Sequence, residues 1–399
     1  MCFVQRWKGG VFSGLTKEPR TAHTDKTTLL RRLFRDSHQY VSLELPDVRV
    51  SAESDPRGFL AAHSAPVIFD EVQYAPDLLP YIKERIDEKR GVHGRYLLTG
   101  SQNLLMLEKV TESLAGRAAW LTLWPLSRRE IDGTPDLPLS FRDTTECARG
   151  ESIEFDALWK RLLAGWFPEP VLEPERDIEL WHESYLRTYV ERDVRNIRQI
   201  GDLVQFQIFL RTLAHRAGNL LVLSGLSRDL GVAVNTVKAW LSVLEASNQV
   251  LLLRPWHRNV GKRLVKTPKV YFTDTGTLCR LSGLSDPTHL RDGPMAGAVM
   301  ENAVVMEIVK TLDHRGERPR LSFFRTSDGR EVDLIVETGD RFVPIEVKTT
   351  ATPRPQAADG IRLFRDLVGD RCDPGFVVHP GDVRLPLGPG ASALPFGEL

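Results

Sequence analysis

The sequence predicts a three-part α/β chain. A parallel-sheet domain covers residues 1–145, a helical region 155–292 and a second α/β domain 293–399. Three observations carry that prediction. Residues 67–71 read Val-Ile-Phe-Asp-Glu, an apolar run of strand length that ends in two adjacent carboxylates. Residues 224–255 hold two helical patterns joined by a glycine-led turn and followed by an apolar strand. Residues 331–348 alternate as a hairpin that turns at Gly339-Asp340 and carries Asp333, Glu346 and Lys348. Through residues 1–130 strand-like and helix-like segments alternate, which implies a parallel sheet with helices on its faces.

Composition bounds the partners. At 399 residues the chain has room for two or three domains and an ample core. Its 53 basic and 53 acidic residues cancel, so any hold on nucleic acid or membrane must come from local patches. Cys2, Cys147, Cys279 and Cys372 lie far apart in no paired metal spacing, and read as reduced thiols of a cytosolic protein. No apolar run approaches the ~18 residues that span a bilayer. Arg6 and Lys8 have no apolar core after them, so neither a secretory signal nor a membrane partner is expected.

The first chemistry along the chain is phosphate chemistry. Lys26, Thr27 and Thr28 open an amphipathic helix, Leu29 to Phe34, whose N-terminus would face an anion. Lys26 supplies charge and Thr27 a magnesium-binding hydroxyl. Asp70 would hold Mg2+ through its water shell, and Glu71 would polarise the water that attacks the terminal phosphate of ATP. A strand from Arg95 ends in Thr99-Gly100-Ser101-Gln102-Asn103, where Ser101 and Gln102 would touch the terminal phosphate or the attacking water. Arg117 is suited to transition-state charge, in its own site or across the subunit boundary of a homo-oligomer. The phosphate-binding loop, however, lacks its glycines. Such a loop needs Gly-x-x-x-x-Gly-Lys-Ser/Thr so that bare backbone N–H groups wrap the phosphates. Here Asp25 precedes Lys26 and Arg20 takes the outer glycine position. A non-glycine residue forced into left-handed backbone costs ~1–2 kcal/mol, and Asp25 adds negative charge beside a polyphosphate.

Ser127-Arg128-Arg129-Glu130 has the pattern of a capping box, which predicts a short helix starting there. Residues 132–154, rich in Gly, Pro, Asp and Thr, form a linker. From Phe155 to Leu221 the pattern is helical, with Leu158, Leu162 and Leu163 on one face, and residues 178–200 form a long charged helix holding Glu191-Arg192-Asp193. Ser224 to Leu230 form a short helix, Gly231 to Val234 the turn, and Asn235 caps a helix whose Val237, Trp240, Leu241 and Leu244 recur at helical spacing. Val250 to Arg254 begin a wing strand. DNA recognition would put Thr236, Lys238 and Ser242 outward; a packing or dimerisation module is the other reading. From Arg254 to Lys269 six basic residues (Arg254, Arg258, Lys262, Arg263, Lys266 and Lys269) occur with no acidic one. Such a run is either a solvated face or a track for a phosphate backbone.

The last element carries carboxylates. Glu301 shares a helical face with Val304, Val305 and Ile308, and burial there costs several kcal/mol unless the charge is paired or binds metal. Glu346 and Lys348, two apart on a strand, point to one face, and Asp333 adjoins them. A helical Glu, a strand Asp and Glu-x-Lys resemble the PD-(D/E)-x-K nuclease core. There Glu301, Asp333 and Glu346 would hold Mg2+ and Lys348 would act on the hydrolytic water. A salt-bridged hairpin that no longer cuts, with Arg325 and Arg330 balancing the carboxylates, is the alternative.

Lys26 to Phe34, Tyr40-Val41-Ser42-Leu43-Glu44, Asp70 to Lys83, Leu98 to Asn103 and Ser113 to Arg117 together resemble prokaryotic AAA-type ATP-binding proteins with a C-terminal domain of unknown function. So do Tyr189 to Arg195, Lys269 to Gly276 and Ile345 to Lys348. The resemblance implies a P-loop NTPase-like parallel sheet, a winged-helix region and a restriction-endonuclease-like domain, with ATP and Mg2+ as cofactors and DNA as a partner. The departure is the loop. The family pattern is Gly-Pro-Arg-x-x-Gly-Lys-Thr-Thr; this chain runs Glu18-Pro19-Arg20 to Asp25-Lys26-Thr27-Thr28, two residues longer. A compensated change of reading frame over residues 1–25 and a genuine loss of nucleotide binding both account for it. The alternatives implied are a Mg2+-dependent endonuclease and a non-catalytic interaction protein.

Overall fold

A computed structural model describes residues 2–5, 26–100, 113–142, 152–173, 175–188, 202–256 and 267–399. The loop at 18–25, Ser101, Gln102, the Glu191-Arg192-Asp193 group, Arg258, Lys262, Arg263 and Lys266 lie outside the described residues.

The N-terminal sheet runs in the order β2-β3-β4-β1-β5. Strands β2 (Gln39–Ser42), β3 (Val67–Asp70) and β4 (Tyr96–Thr99) are parallel. Alternation along β3 and β4 divides their side chains between two cores. Val67, Phe69 and Leu98 pack with Phe59, Leu79 and Ile82, from helices α3 (Pro56–Ala62) and α4 (Leu79–Glu88), which follow α2 (Pro46–Ser54). Ile68 and Leu97 pack on the other face with Leu30 of α1 (Lys26–Leu33). The all-parallel expectation holds for these three strands only. Strand β1 (Cys2–Gln5) lies between β4 and β5 (Ala118–Leu121) and runs antiparallel to both. An antiparallel ladder satisfies the backbone groups of that slot as well as a parallel one.

The segment after β5 crosses to the C-terminal domain. Helix α5 (Arg128–Ile131) has the full capping box: Ser127 Oγ accepts from the Glu130 N–H and Glu130 accepts from the Ser127 N–H. The helical part comprises α6 (Phe155–Ala164), α7 (Ile178–Thr188), α8 (Leu203–Ala214), α9 (Leu223–Leu230) and α10 (Val234–Ala246). An antiparallel hairpin follows, β6 (Val250–Leu253) with β7 (Lys269–Phe272), then α11 (Thr275–Leu281). Asn235 does not cap α10. Ala233, in extended conformation, is the N-cap, so the helix begins before Asn235 and takes it into its first turn.

The C-terminal domain is built on α12 (Ala296–His314), fifteen of whose nineteen residues are buried, so it is a central helix and not a surface one. Its sheet runs in the order β12-β13-β11-β10-β9-β8. Strands β8 (Leu321–Arg325), β9 (Glu331–Thr338) and β10 (Arg341–Val347) are antiparallel, and Gly339 turns the β9–β10 hairpin at φ +65°. Helix α13 (Asp359–Val368) leads to β11 (Gly375–His379), which is parallel to β10. Strands β12 (Leu385–Pro386) and β13 (Ala391–Pro395) complete the edge. Leu158, Phe206 and Trp240 of the helical part share one core with Val304, Ile308, Ile345 and Leu394, so the second and third parts fold as one packed body.

Candidate nucleotide site and C-terminal carboxylate cluster

At the C-terminal end of β3 the chain buries one carboxylate among hydroxyls. Asp70 is 4% exposed. Thr27, in the first turn of α1, donates its hydroxyl to Asp70 Oδ1 at 3.0 Å and Oδ2 at 2.9 Å. Tyr40 on β2 donates to Oδ2 at 2.7 Å, and Thr99 on β4 donates to Oδ1. The register explains the grouping, since Ser42 pairs with Asp70 and Phe69 with Leu98, which brings the ends of β2 and β4 beside the end of β3. Burial first, and then the bond to Asp70, raise the Tyr40 phenol above its ordinary range. Lys26 Nζ donates to the Gly100 carbonyl at 2.8 Å. Thr28 follows on α1, half-buried.

Glu71 leaves the strand in left-handed backbone, φ 55°, a conformation that costs a non-glycine residue ~1–2 kcal/mol and that is concentrated at functional sites. Its carboxylate accepts from Gln73 Nε2. Gly100 lies against the Gln73 side chain, and a Cβ there would collide with it. Lys26, Thr27, Asp70 and Glu71 therefore meet at one end of the sheet. Arg117 does not join them. Cys2 pairs with both Thr99 and Leu121, and Gln5 with Ala118, which puts Arg117 at the opposite end of the strands. There it grips Asp87 through Nε at 2.8 Å and Nη2 at 2.9 Å. That bond, with help from Arg90, holds the Asp87 carboxyl down at about 2. Tyr40 and Thr99 are the residues sequence reasoning missed: Thr99 ends β4 beside Asp70, and Tyr40 reaches Asp70 from two residues back along β2.

The donor set fits a hard cation. A hydroxyl and a carboxylate already in contact are oxygen ligands of the kind magnesium takes, and a lysine on a backbone carbonyl can exchange that bond for a phosphate. The glycine-free loop at 18–25 is outside the described residues.

The second constellation spans α12 and strands β7, β9 and β10. Lys348 Nζ donates to Glu346 Oε1 at 2.7 Å, and the Val347 N–H donates to Asp333 Oδ2 at 2.9 Å. Glu301 receives Lys269 Nζ at 2.8 Å and the Tyr271 hydroxyl at 2.6 Å. Among the described residues no group of three or more His, Cys, Asp or Glu side chains is arranged to hold a metal ion. Glu301, Glu331 and Asp333 close instead on the Lys269 ammonium, while Glu346 pairs with Lys348. Lys269, read in sequence as part of a basic run, is 2% exposed because β7 turns it inward. Arg325 pairs with Glu331 at 2.6 Å. Lys238 is exposed on α10, with Ser242 donating to its carbonyl at 2.9 Å.

Comparison with known proteins decides the family. An AAA domain matches residues 23–132, a domain of unknown function (DUF8612) residues 155–288, and a second (DUF4143) residues 296–399. Uncharacterized proteins of Mycobacterium tuberculosis and Mycobacterium bovis are each 30% identical over 384 residues, 96% of this chain and 79% of the relative. The chain belongs to their family, as an AAA-type protein. The Asp70 site falls inside its AAA domain and the lysine-centred cluster inside the C-terminal domain of unknown function, reached by Lys269 from the domain before it. No solved structure matches the chain. No helix among the described residues is long and apolar enough to cross a membrane.

Proposed function

We propose that the AAA domain carries an ATP site whose magnesium half is built and whose phosphate cradle is degenerate, so that this chain binds ATP weakly. The observation that carries the reading is Thr27 donating to both oxygens of a buried Asp70 while Lys26 stands beside them on a backbone carbonyl. Mg2+ would supply charge neutralisation for the phosphates and orient them. Thr27 would turn its lone pairs to the ion, and Asp70 would hold the ion's water shell. Tyr40 and Thr99 would keep that carboxylate aimed, since each donates to a different oxygen. Lys26 would leave the Gly100 carbonyl for a phosphate oxygen. Glu71, freed from Gln73, would orient and polarise the attacking water. Asp25 and the long loop work against all of this, because they remove the bare amides and add like charge.

The test is repair. With residues 18–26 replaced by Gly-Pro-Arg-x-x-Gly-Lys, a fluorescent ATP analogue with Mg2+ should bind, and Lys26→Ala in that background should abolish binding. A repaired, folded chain that stays blind to the analogue would overturn the reading.

A further inference from the structure

The C-terminal cluster draws its cation from the chain itself. The Lys269 ammonium lies 2.8 Å from Glu301 Oε1, 3.2 Å from Glu331 Oε1 and 3.6 Å from Asp333 Oδ1. Three carboxylates from two elements thus converge on one buried nitrogen. Tyr271, two residues along and so on the same face of β7, donates to the Glu301 oxygen that Lys269 holds. The Phe323 ring lies 5.5 Å from the ammonium and closes that side. Asp333 spends its other oxygen on the Val347 N–H. Glu346 stands alongside, its Oε1 on Lys348 and its Oε2 buried with no hydrogen-bond partner.

A divalent ion here would share carboxylate oxygens with an ammonium and face its charge at close range. Magnesium also demands near-octahedral oxygen coordination and gives up water reluctantly. The oxygens nearest the centre are already engaged by Lys269, Tyr271 and Val347, so the residues do not fit a metal while Lys269 is in place. Both β7 residues come from the hairpin of the helical part, and all the carboxylates come from α12, β9 and β10.

We propose that Lys269 is the resident cation of this cluster, which makes it a lysine-closed joint between the β6–β7 hairpin and the C-terminal domain and bars divalent metal from the nuclease-like position. This inference is independent of the ATP reading.

Mn2+ is the probe, its bound fraction counted by electron paramagnetic resonance on the full chain without nucleotide. All chains carry Asp70→Asn, which removes the N-terminal candidate ligand. That parent should bind no Mn2+ at the cluster, so adding Asp333→Asn should change nothing. Lys269→Met in the same background should bind one Mn2+ per chain, and Asp333→Asn should remove it. A parent chain that binds one Mn2+ sensitive to Asp333→Asn would overturn the proposal, as would a folded Lys269→Met chain that binds none. If Lys269→Met fails to fold by circular dichroism, Lys269→Gln takes its place, and the parent comparison decides without either variant.

Discussion

Glu346→Gln probes the electrostatics of the C-terminal cluster. Burial first, and then the neighbouring Asp333, push the Glu346 carboxyl from an ordinary 4.5 up to about 8, against the pull of Lys348. Glu301 faces it from α12 and is pushed up to about 7, again by burial and then Asp333. Lys269 and the Tyr271 hydroxyl pull the Glu301 carboxyl the other way. Both folded-state values exceed the unfolded one, so the folded chain retains protons that the unfolded chain releases. The stability they contribute is fully present below pH ~4.5 and is lost as pH rises through about 7 to 8. A shift of that size in Glu346 alone corresponds to on the order of 4–5 kcal/mol, and the summed effect is smaller because one proton relieves several carboxylates. Glutamine keeps the shape and cannot ionise. The variant should match the parent at pH 4 and exceed its stability by about 2–4 kcal/mol at pH 9. Urea unfolding followed by tryptophan fluorescence reads this, because Trp256 packs against Phe324, Phe342 and Phe364 of the same domain. Parallel pH profiles for the two chains would refute the reasoning.

Glu307→Ala should destabilise the chain by about 3–5 kcal/mol, because buried Glu307 accepts the Arg128 N–H at 2.9 and 3.0 Å and fixes α5 to α12; a loss under ~1 kcal/mol in the melting transition would contradict this. In a loop-repaired chain Glu71→Gln should spare ATP binding and slow hydrolysis by roughly 100-fold or more, whereas unchanged turnover would reassign the water-activating group. Any DNA affinity should fall steeply with salt, and changing Lys262, Arg263 and Lys266 to Glu should weaken it for all sequences alike, as filter binding would show; a triple variant that binds normally would move DNA recognition elsewhere.

Local chemistry was legible and long-range closure was not. The Asp70–Glu71 strand end, the Ser127–Glu130 capping box and the Gly339 turn each depend on a few adjacent residues, and each is present as read. The shared face of Glu346 and Lys348 was legible, but the meeting of Glu301 with Lys269 was not. Placing Lys269 there takes two elements 32 and 62 residues downstream, and in sequence it looks like the end of a basic run. The distance of Arg117 from its own chain's Glu71, which leaves only the reading across a subunit boundary, was hidden for a related reason. Its order along the chain suggests proximity to Glu71, but the strand registers put it at the other end of the sheet. The direction of β1 carries no sequence signal, because backbone pairing fills the slot either way.

The most direct measurement is calorimetric titration of ATP with Mg2+ into the unaltered chain. The expected result is no binding in the micromolar range, because the sequence puts Asp25 and a longer, glycine-free stretch where the amide cradle needs glycines, while Thr27 and Asp70 are in contact. Micromolar binding by the chain as it stands would contradict a degenerate site.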